Sequence, residues 1–375
     1  MATPFVYGKL ALENNFTNRS DEINQLVFNF TALTNTVLLS PRRWGKSSLV
    51  TRAAGLAQKK DKDLKFCFID LYNVRSEEQF YQLLAQEVLR SSSSKLEELM
   101  ENTRKFMRQL IPRISVGPDS NSEITVDLDW KEVKKNPDDI LNLCEKIAEE
   151  KGIKFIVCIA EFQNISEFKE HLSFQKKLRS NWQKHQNTAY CLYGSRRHML
   201  MDVFTSSSMP FYKFGNILFL EKIKEKDWIP FIKKKFLETG KTITTNEART
   251  IAILVECHPY YVQQLAQQTW FRTKNICNQE IVKAAHENMT LQLSLLFQTL
   301  TDELTTTHIY FLKAIIKGEK HPSSKRAIEM YQLGTSANVL RIKKALIKKE
   351  IIDAHGNEFS ILDPVYKHWL KNYYF

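Results

Sequence analysis

The segment best suited to chemistry is Gly45-Lys46-Ser47-Ser48. A lysine carries a mobile cation, a glycine lets backbone approach a ligand closely, and two hydroxyls open what reads as a helix from Ser48 to Ala54. An apolar, β-prone run, Thr36–Leu39, comes just before. Strand, tight turn with unpaired main-chain N–H groups, lysine and hydroxyl at a helix start form the arrangement that grips a chain of phosphates. Lys46 would meet the β and γ oxygens, and Ser47 would ligate Mg2+. The eight-residue loop begins with Ser40 where the usual pattern has glycine. Serine is small enough for the turn, and its hydroxyl is available to cap the loop. Pro41, Arg42, Arg43, Trp44 and Gly45 fill the loop, with the two arginines read as contacts to phosphate, to a partner or to solvent.

Hydrolysis of a phosphoanhydride needs acids at the end of a neighbouring strand, one to hold Mg2+ through water and one to orient the attacking water. The run Lys154–Ile159 ends in Ala160-Glu161-Phe162-Gln163. Glu161 fits the water-orienting role, and Ala160 stands where the Mg2+ aspartate belongs. Alanine there has three readings: an engineered replacement that blocks turnover, a natural ATPase that binds but barely hydrolyses, or a misaligned motif. Asp70, which closes Lys65–Leu71, is a nearby acid read chiefly as a strand-end cap.

These residues need a scaffold. Thr36–Leu39, Lys65–Leu71, Lys154–Ile159, Thr188–Tyr193 and Asn216–Leu220 read as buried strands, separated by amphipathic helical stretches such as Ser76–Arg90 and Pro137–Lys151. Strands alternating with helices predict an α/β fold, a parallel sheet flanked by helices. Residues 91–135 interrupt the alternation with a helix and a hairpin about the turn Gly117-Pro118-Asp119-Ser120-Asn121. Past Leu220 the pattern turns helical, as in Ile251–Trp270. Helix-like His308–Lys317 and Ala337–Lys349, then alternating Ile351–Ala354 and Glu358–Leu362 about His355-Gly356-Asn357, predict a winged helix-turn-helix. The expected domains are a P-loop core over 1–225, a helical lid over 226–300 and the winged helix over 301–375. In the last, Thr335, Ser336 and Asn338 could meet phosphates or bases. Arg341, Lys343, Lys344, Lys348 and Lys349 would neutralise phosphate.

With these motifs in place the chain resembles the AAA+-like ATPases of the STAND class in prokaryotes, over residues from about 5 to 370. Phe16-Thr17-Asn18-Arg19-Ser20-Asp21-Glu22 is similar to the family's opening motif. Pro41 to Leu49 is similar to its double-arginine phosphate loop, and Ile159 to Gln163 to its Asp-Glu-Phe-Gln strand end with the aspartate missing. Tyr193-Gly194-Ser195-Arg196-Arg197 resembles its sensor strand. Cys257-His258-Pro259-Tyr260-Tyr261 resembles its lid turn with cysteine in place of glycine. The resemblance implies that Phe16, Arg19 and Pro259 lie toward adenine and that Ser195 or Arg196 senses the γ-phosphate. It gives His258 a structural place in the turn and makes Arg179 a weak candidate for an arginine acting in trans. It also allows the winged helix to gate nucleotide rather than bind DNA.

Composition bounds the rest. No apolar run reaches the roughly 18 residues of a membrane span. Met1–Leu12 lacks a basic-then-apolar leader, so the chain is read as soluble and cytoplasmic with no membrane partner. The six cysteines form no Cys-x-x-Cys pair, which argues against metal knuckles and redox motifs. A net charge of +12 permits acidic or nucleic-acid partners, although runs such as Lys233–Lys235 also suit a solvated face. The expected function is a nucleotide-dependent conformational switch using ATP and Mg2+, slow in hydrolysis because of Ala160, acting through DNA, a protein partner or a homo-oligomer. The alternatives are a DNA-binding protein in which ATP is structural, and an inactive scaffold.

Overall fold

A computed structural model describes residues 3–11, 13–93, 96–107, 113–116, 124–355 and 358–375. The chain divides into two compact units. One comprises Arg19–Arg42 and Lys46–Glu221; the other comprises Met1–Asn18, Arg43–Gly45 and Lys222–Phe375.

The first unit is built on β1 (Thr36–Leu39), β2 (Leu64–Asp70), β5 (Lys154–Ala160), β6 (Thr188–Gly194) and β7 (Asn216–Phe219), with an antiparallel pair, β3 (Arg113–Val116) and β4 (Ile124–Asp127), inserted between β2 and β5. The five strands run parallel in the order β2-β5-β6-β1-β7. Burial follows position in the sheet. Central β1 and β6 are buried throughout and β5 nearly so, whereas edge strand β2 alternates and leaves Phe68 42% exposed. Strands covered on both faces need no polar alternation, which is why these runs read as continuously apolar. Cys67, Cys158 and Cys191 are buried free thiols on β2, β5 and β6.

Aromatic packing secures the helix His171–Trp182 against β6. Trp182 stacks on Tyr190 at 4.0 Å, and Phe162 meets Phe211 edge-on at 5.2 Å. Full burial of such rings stabilises by about 1.5–3 kcal/mol each.

The second unit begins with helices over Glu225–Leu237, Thr245–Leu254, Pro259–Arg272, Gln279–Gln292 and Ser294–Asp302. Helices Thr306–Ile316, Lys325–Met330 and Ser336–Lys348 follow, then the antiparallel wing β8 (Ile352–His355) and β9 (Glu358–Ile361), and helix Pro364–Trp369. Phe5 plugs this core, meeting Phe231 and Phe236 edge-on at 6.2 and 5.9 Å. Gln263 fastens the same N-terminal segment twice: its Oε1 accepts from the Val6 amide (3.4 Å) and its Nε2 donates to the Asn15 carbonyl (3.2 Å).

Two helices expected as continuous are broken. Pro137–Lys151 splits into Pro137–Leu141 and Leu143–Lys151 at Asn142, whose side chain is drawn to the Asp138 carbonyl (2.8 Å), Asn181 (2.9 Å) and His185 (2.8 Å). Ile251–Trp270 ends at Leu254 and restarts at Pro259, because proline lacks the amide to continue a helix but suits its first turn. Between them Glu256 and Cys257 take φ of 48° and 56°. The hairpin is present in β3 and β4, but its turn at 117–121 lies outside the described residues, as do Gly356 and Asn357 of the wing. The helix expected over Ser48–Ala54 is longer, Lys46–Lys60; other strand and helix ends differ from expectation by one residue or two, as fraying termini do.

Candidate phosphate loop and strand-end site

β1 delivers the chain into Ser40–Gly45, and the helix Lys46–Lys60 starts at the lysine. Ser40 is buried, and its hydroxyl donates to the Pro41 carbonyl at 3.0 Å, so serine closes the loop where glycine was expected. The Lys46 ammonium is 7% exposed and donates to the carbonyls of Pro41 (2.8 Å) and Ser40 (3.3 Å). Gly45 has φ +89°, a conformation that any side chain would strain. Ser47 is exposed in the first helical turn and Ser48 is buried.

The ends of β5 and β6 supply the acid. Glu161 follows Ala160 with φ 51° and gathers bonds on a single oxygen. Its Oε2 accepts from Gln163 Nε2 (2.6 Å), Ser195 Oγ (2.7 Å) and the Ser195 amide (3.2 Å). The Ser195 hydroxyl in turn accepts from Arg42 Nε at 3.2 Å. Burial pushes the Glu161 carboxyl upward, but the bonds from Ser195 and Gln163 and the charge of Lys46 outweigh it and hold it below the usual carboxylate range. Lys46, Arg42, Ser195 and Glu161 are therefore brought together.

Ala160 offers no side-chain oxygen, and its carbonyl accepts from the Leu71 amide at 3.1 Å. Its register partner on β2 is Asp70, whose carboxylate accepts the Tyr72 amide at 2.9 Å, the strand-end cap expected of it. The exposed Ser47 hydroxyl fits a Mg2+ ion that shares its ligands with phosphate oxygens. Among the described residues no group of three or more His, Cys, Asp or Glu could build a metal site of its own.

Other expected residues lie apart from this cluster. Arg196 pairs with Glu167 at 2.6 Å, and Arg179 lies over the Phe214 ring at 4.9 Å. Arg19 is 4% exposed with φ 67° and pairs with Glu22 at 3.0 Å; burial lowers its pKa, and Glu22 opposes that shift.

In the second unit Arg43 lies over the Tyr260 ring at 4.6 Å, and Trp44 meets the His258 ring edge-on at 6.5 Å with Lys222 on its face at 5.9 Å. Burial, with Lys222 and Arg43 nearby, lowers the His258 pKa to about 3, and its Nδ1 has no hydrogen-bond partner. Pro259 is buried at the start of its helix, and Phe16 is half-buried. The Tyr261 hydroxyl donates to Asp363, a bond between residues 102 positions apart that sequence reading missed. Asp363 also caps the helix Pro364–Trp369 through the amides of Val365 and Tyr366.

In the helix Ser336–Lys348 the Thr335 hydroxyl caps the amide of Asn338. Lys343 is engaged by Ser323 (3.0 Å) and Phe359 (4.4 Å), and Lys349 by Glu303 (3.2 Å). Ser336, Arg341, Lys344 and Lys348 are exposed, while the Asn338 amide is turned to the Leu333 carbonyl at 2.8 Å.

A family model described as a probable winged helix domain matches residues 295–372. No curated protein sequence matches the chain. The structure is similar to the Walker-type ATPase PABY2304 of Pyrococcus abyssi, with a TM-score of 0.66 and 18% identity over 98% of this chain and 99% of that one. It is also similar to the ORC2 protein of Aeropyrum pernix in its ADP form, with a TM-score of 0.51 and 11% identity over 91% of this chain and 87% of that one. Likeness at such identities is likeness of fold. Strand order and C-terminal module agree with it: this chain has the fold of a Walker-type ATPase, with a C-terminal segment, 295–372, matching a probable winged helix domain.

Proposed function

We propose that the chain binds ATP with Mg2+ and uses it as a conformational switch of the STAND type. The observation that carries this reading is the buried Lys46 ammonium, held by loop carbonyls within the field of Glu161. Phosphate oxygens arriving at the loop offer that ammonium a stronger, charge-assisted partner than neutral carbonyls. Main-chain amides from Gly45 to Ser48 at the helix start add the dipole that favours an anion. Ser47 would hold the Mg2+, which would supply positive charge at the phosphates; Glu161 orients the attacking water, and Ser195 with Arg42 links that carboxylate to the phosphate loop. Arg196 senses the γ-phosphate only if it leaves Glu167. Phe16, Arg19 and Pro259 serve the base end.

Ala160 cannot position a metal-bound water, so hydrolysis by this chain is slow. Bound nucleotide is read out through Arg43 and Trp44, which rest on Tyr260 and His258.

The test is paired: ATP affinity and turnover are measured for this chain and for Ala160→Asp. Binding by both, with turnover raised at least about tenfold in the aspartate form, supports the reading. Binding by neither sinks it.

A second reading is favoured by the exposed Arg341, Lys344 and Lys348 on the helix Ser336–Lys348: duplex DNA as partner, with ATP mainly structural. Affinity for DNA that falls steeply with salt and ignores ATP would favour it.

A further inference from the structure

At the strand-end site, gripping phosphate and orienting water leave the buried side chain of Gln163 unexplained. Gln163 is 1% exposed, and its amide nitrogen donates to Glu161 Oε2 at 2.6 Å. Its carbonyl oxygen is buried with no hydrogen-bond partner. Native structures keep few such groups, and each asks for a reason. An apolar side chain of equal length would remove the unmet oxygen, so what the glutamine contributes is its NH2 end. Gly194 makes room for it. A Cβ at 194 would overlap Gln163 Oε1 and come within 3.0 Å of its Cδ and 3.2 Å of Leu200 Cδ1.

All the bonds to the Glu161 carboxylate fall on Oε2; Oε1 takes none among the described residues. A carboxylate pinned through one oxygen has the direction of its other oxygen fixed.

We infer that Gln163 is a positioning residue for Glu161, seated in a notch that only glycine at 194 leaves open, so that Oε2 is immobilised and Oε1 alone is presented to the attacking water. Gln163 acts through Glu161 and does not itself touch the nucleotide. Its donor favours the ionised carboxylate, so Oε1 serves as a fixed acceptor that aligns water rather than as a strong base. The inference rests on Glu161 being the water-orienting acid.

Two measurements test it. The first needs neither nucleotide nor turnover: urea unfolding at pH 8 of Gln163→Ala, Glu161→Ala and the double variant. Gln163→Ala is expected to lower the folding constant at least about fivefold more in the wild-type chain than in the Glu161→Ala background. Equal losses in both backgrounds mean that Gln163 only fills space, and overturn the inference.

The second uses turnover by the wild-type chain and by Ala160→Asp. Gln163→Ala is expected to cut kcat about tenfold or more with KM within about twofold, and to move the acidic limb of the kcat–pH profile upward. Gly194→Ala should cost as much while Gln163 is present and nothing further once it is alanine. An unchanged kcat, or a loss confined to KM, overturns the proposal. If neither form binds or turns over ATP, the ATPase reading falls, and the urea cycle still decides whether Gln163 positions Glu161.

Discussion

The end of β5 and the turn at Glu256–Tyr261 each bury a titratable side chain, and they treat it in opposite ways. Glu161 keeps its charge because Ser195, Gln163 and Lys46 converge on it. His258, 5% exposed, is kept neutral because burial is reinforced by the positive charges of Lys222 and Arg43, and its Nδ1 finds no partner. Burial alone therefore predicts neither state. Donors and charge sign decide whether a buried group stays ionised, and only the strand-end cluster supplies the complementary charge that chemistry on an anion requires.

The comparison breaks most visibly at Lys46. Lys46→Ala removes the cation from the strand-end side alone and should weaken ATP affinity at least ~100-fold, about 3 kcal/mol, by isothermal titration. Unchanged affinity would mean that the loop does not hold phosphate.

The His258 side is sharpened by pH. A histidine whose folded pKa lies below its unfolded value binds its proton more readily when unfolded, so stability is lost as pH falls from about 6.5 toward 3. Between pH 6.5 and 4.5 this amounts to about 2–3 kcal/mol, and His258→Phe should flatten that part of the denaturation profile. An unaltered slope would show that His258 is protonated in the folded chain.

Glu161→Ala should destabilise by about 1–2 kcal/mol at neutral pH, because the Ser195 and Gln163 donors lose their acceptor. Since the folded pKa of Glu161 is lowered, its contribution is present above the ordinary carboxylate range and disappears as pH falls through the folded value. A cost that persists in acid would argue that packing, not charge, holds the cluster. The smallest effect is expected at Cys257, which sits at φ 56° where the resemblance implies glycine. Cys257→Gly should be neutral or slightly stabilising, whereas the β-branched Cys257→Val should cost about 1 kcal/mol or more in thermal unfolding.

Local chemistry made much of this legible. Thr36–Leu39 could be read as a strand because its residues are β-prone and buried on both faces, and Ser40–Ser48 as a tight turn into a helix because its signature is contiguous. The helix breaks were hidden because periodicity runs on across Asn142 and Val255. What interrupts it is a side chain called away by residues distant in sequence, or a pair of positive-φ residues that no pattern of apolar positions reveals. The same limit hid the notch at Gly194. Glycine in a strand end suggests close approach by something, but its occupant comes from the turn after a different strand. Arg196 reads as a sensor from its place in the motif, whereas its pairing with Glu167 is visible only in three dimensions.

The fastening of the N-terminal segment by Gln263 has a consequence for how the molecule is made. Val6 and Gln263 lie 257 positions apart, so the segment around Val6 has no docking place until Gln263 has been made. At roughly 5–20 residues per second that is a wait of about 13–50 s, for most of which Phe5 stays without its partners Phe231 and Phe236. The segment around Phe5 and Val6 is thus made long before it finds its place, and slowing translation would lengthen its exposure to chaperones and proteases alike.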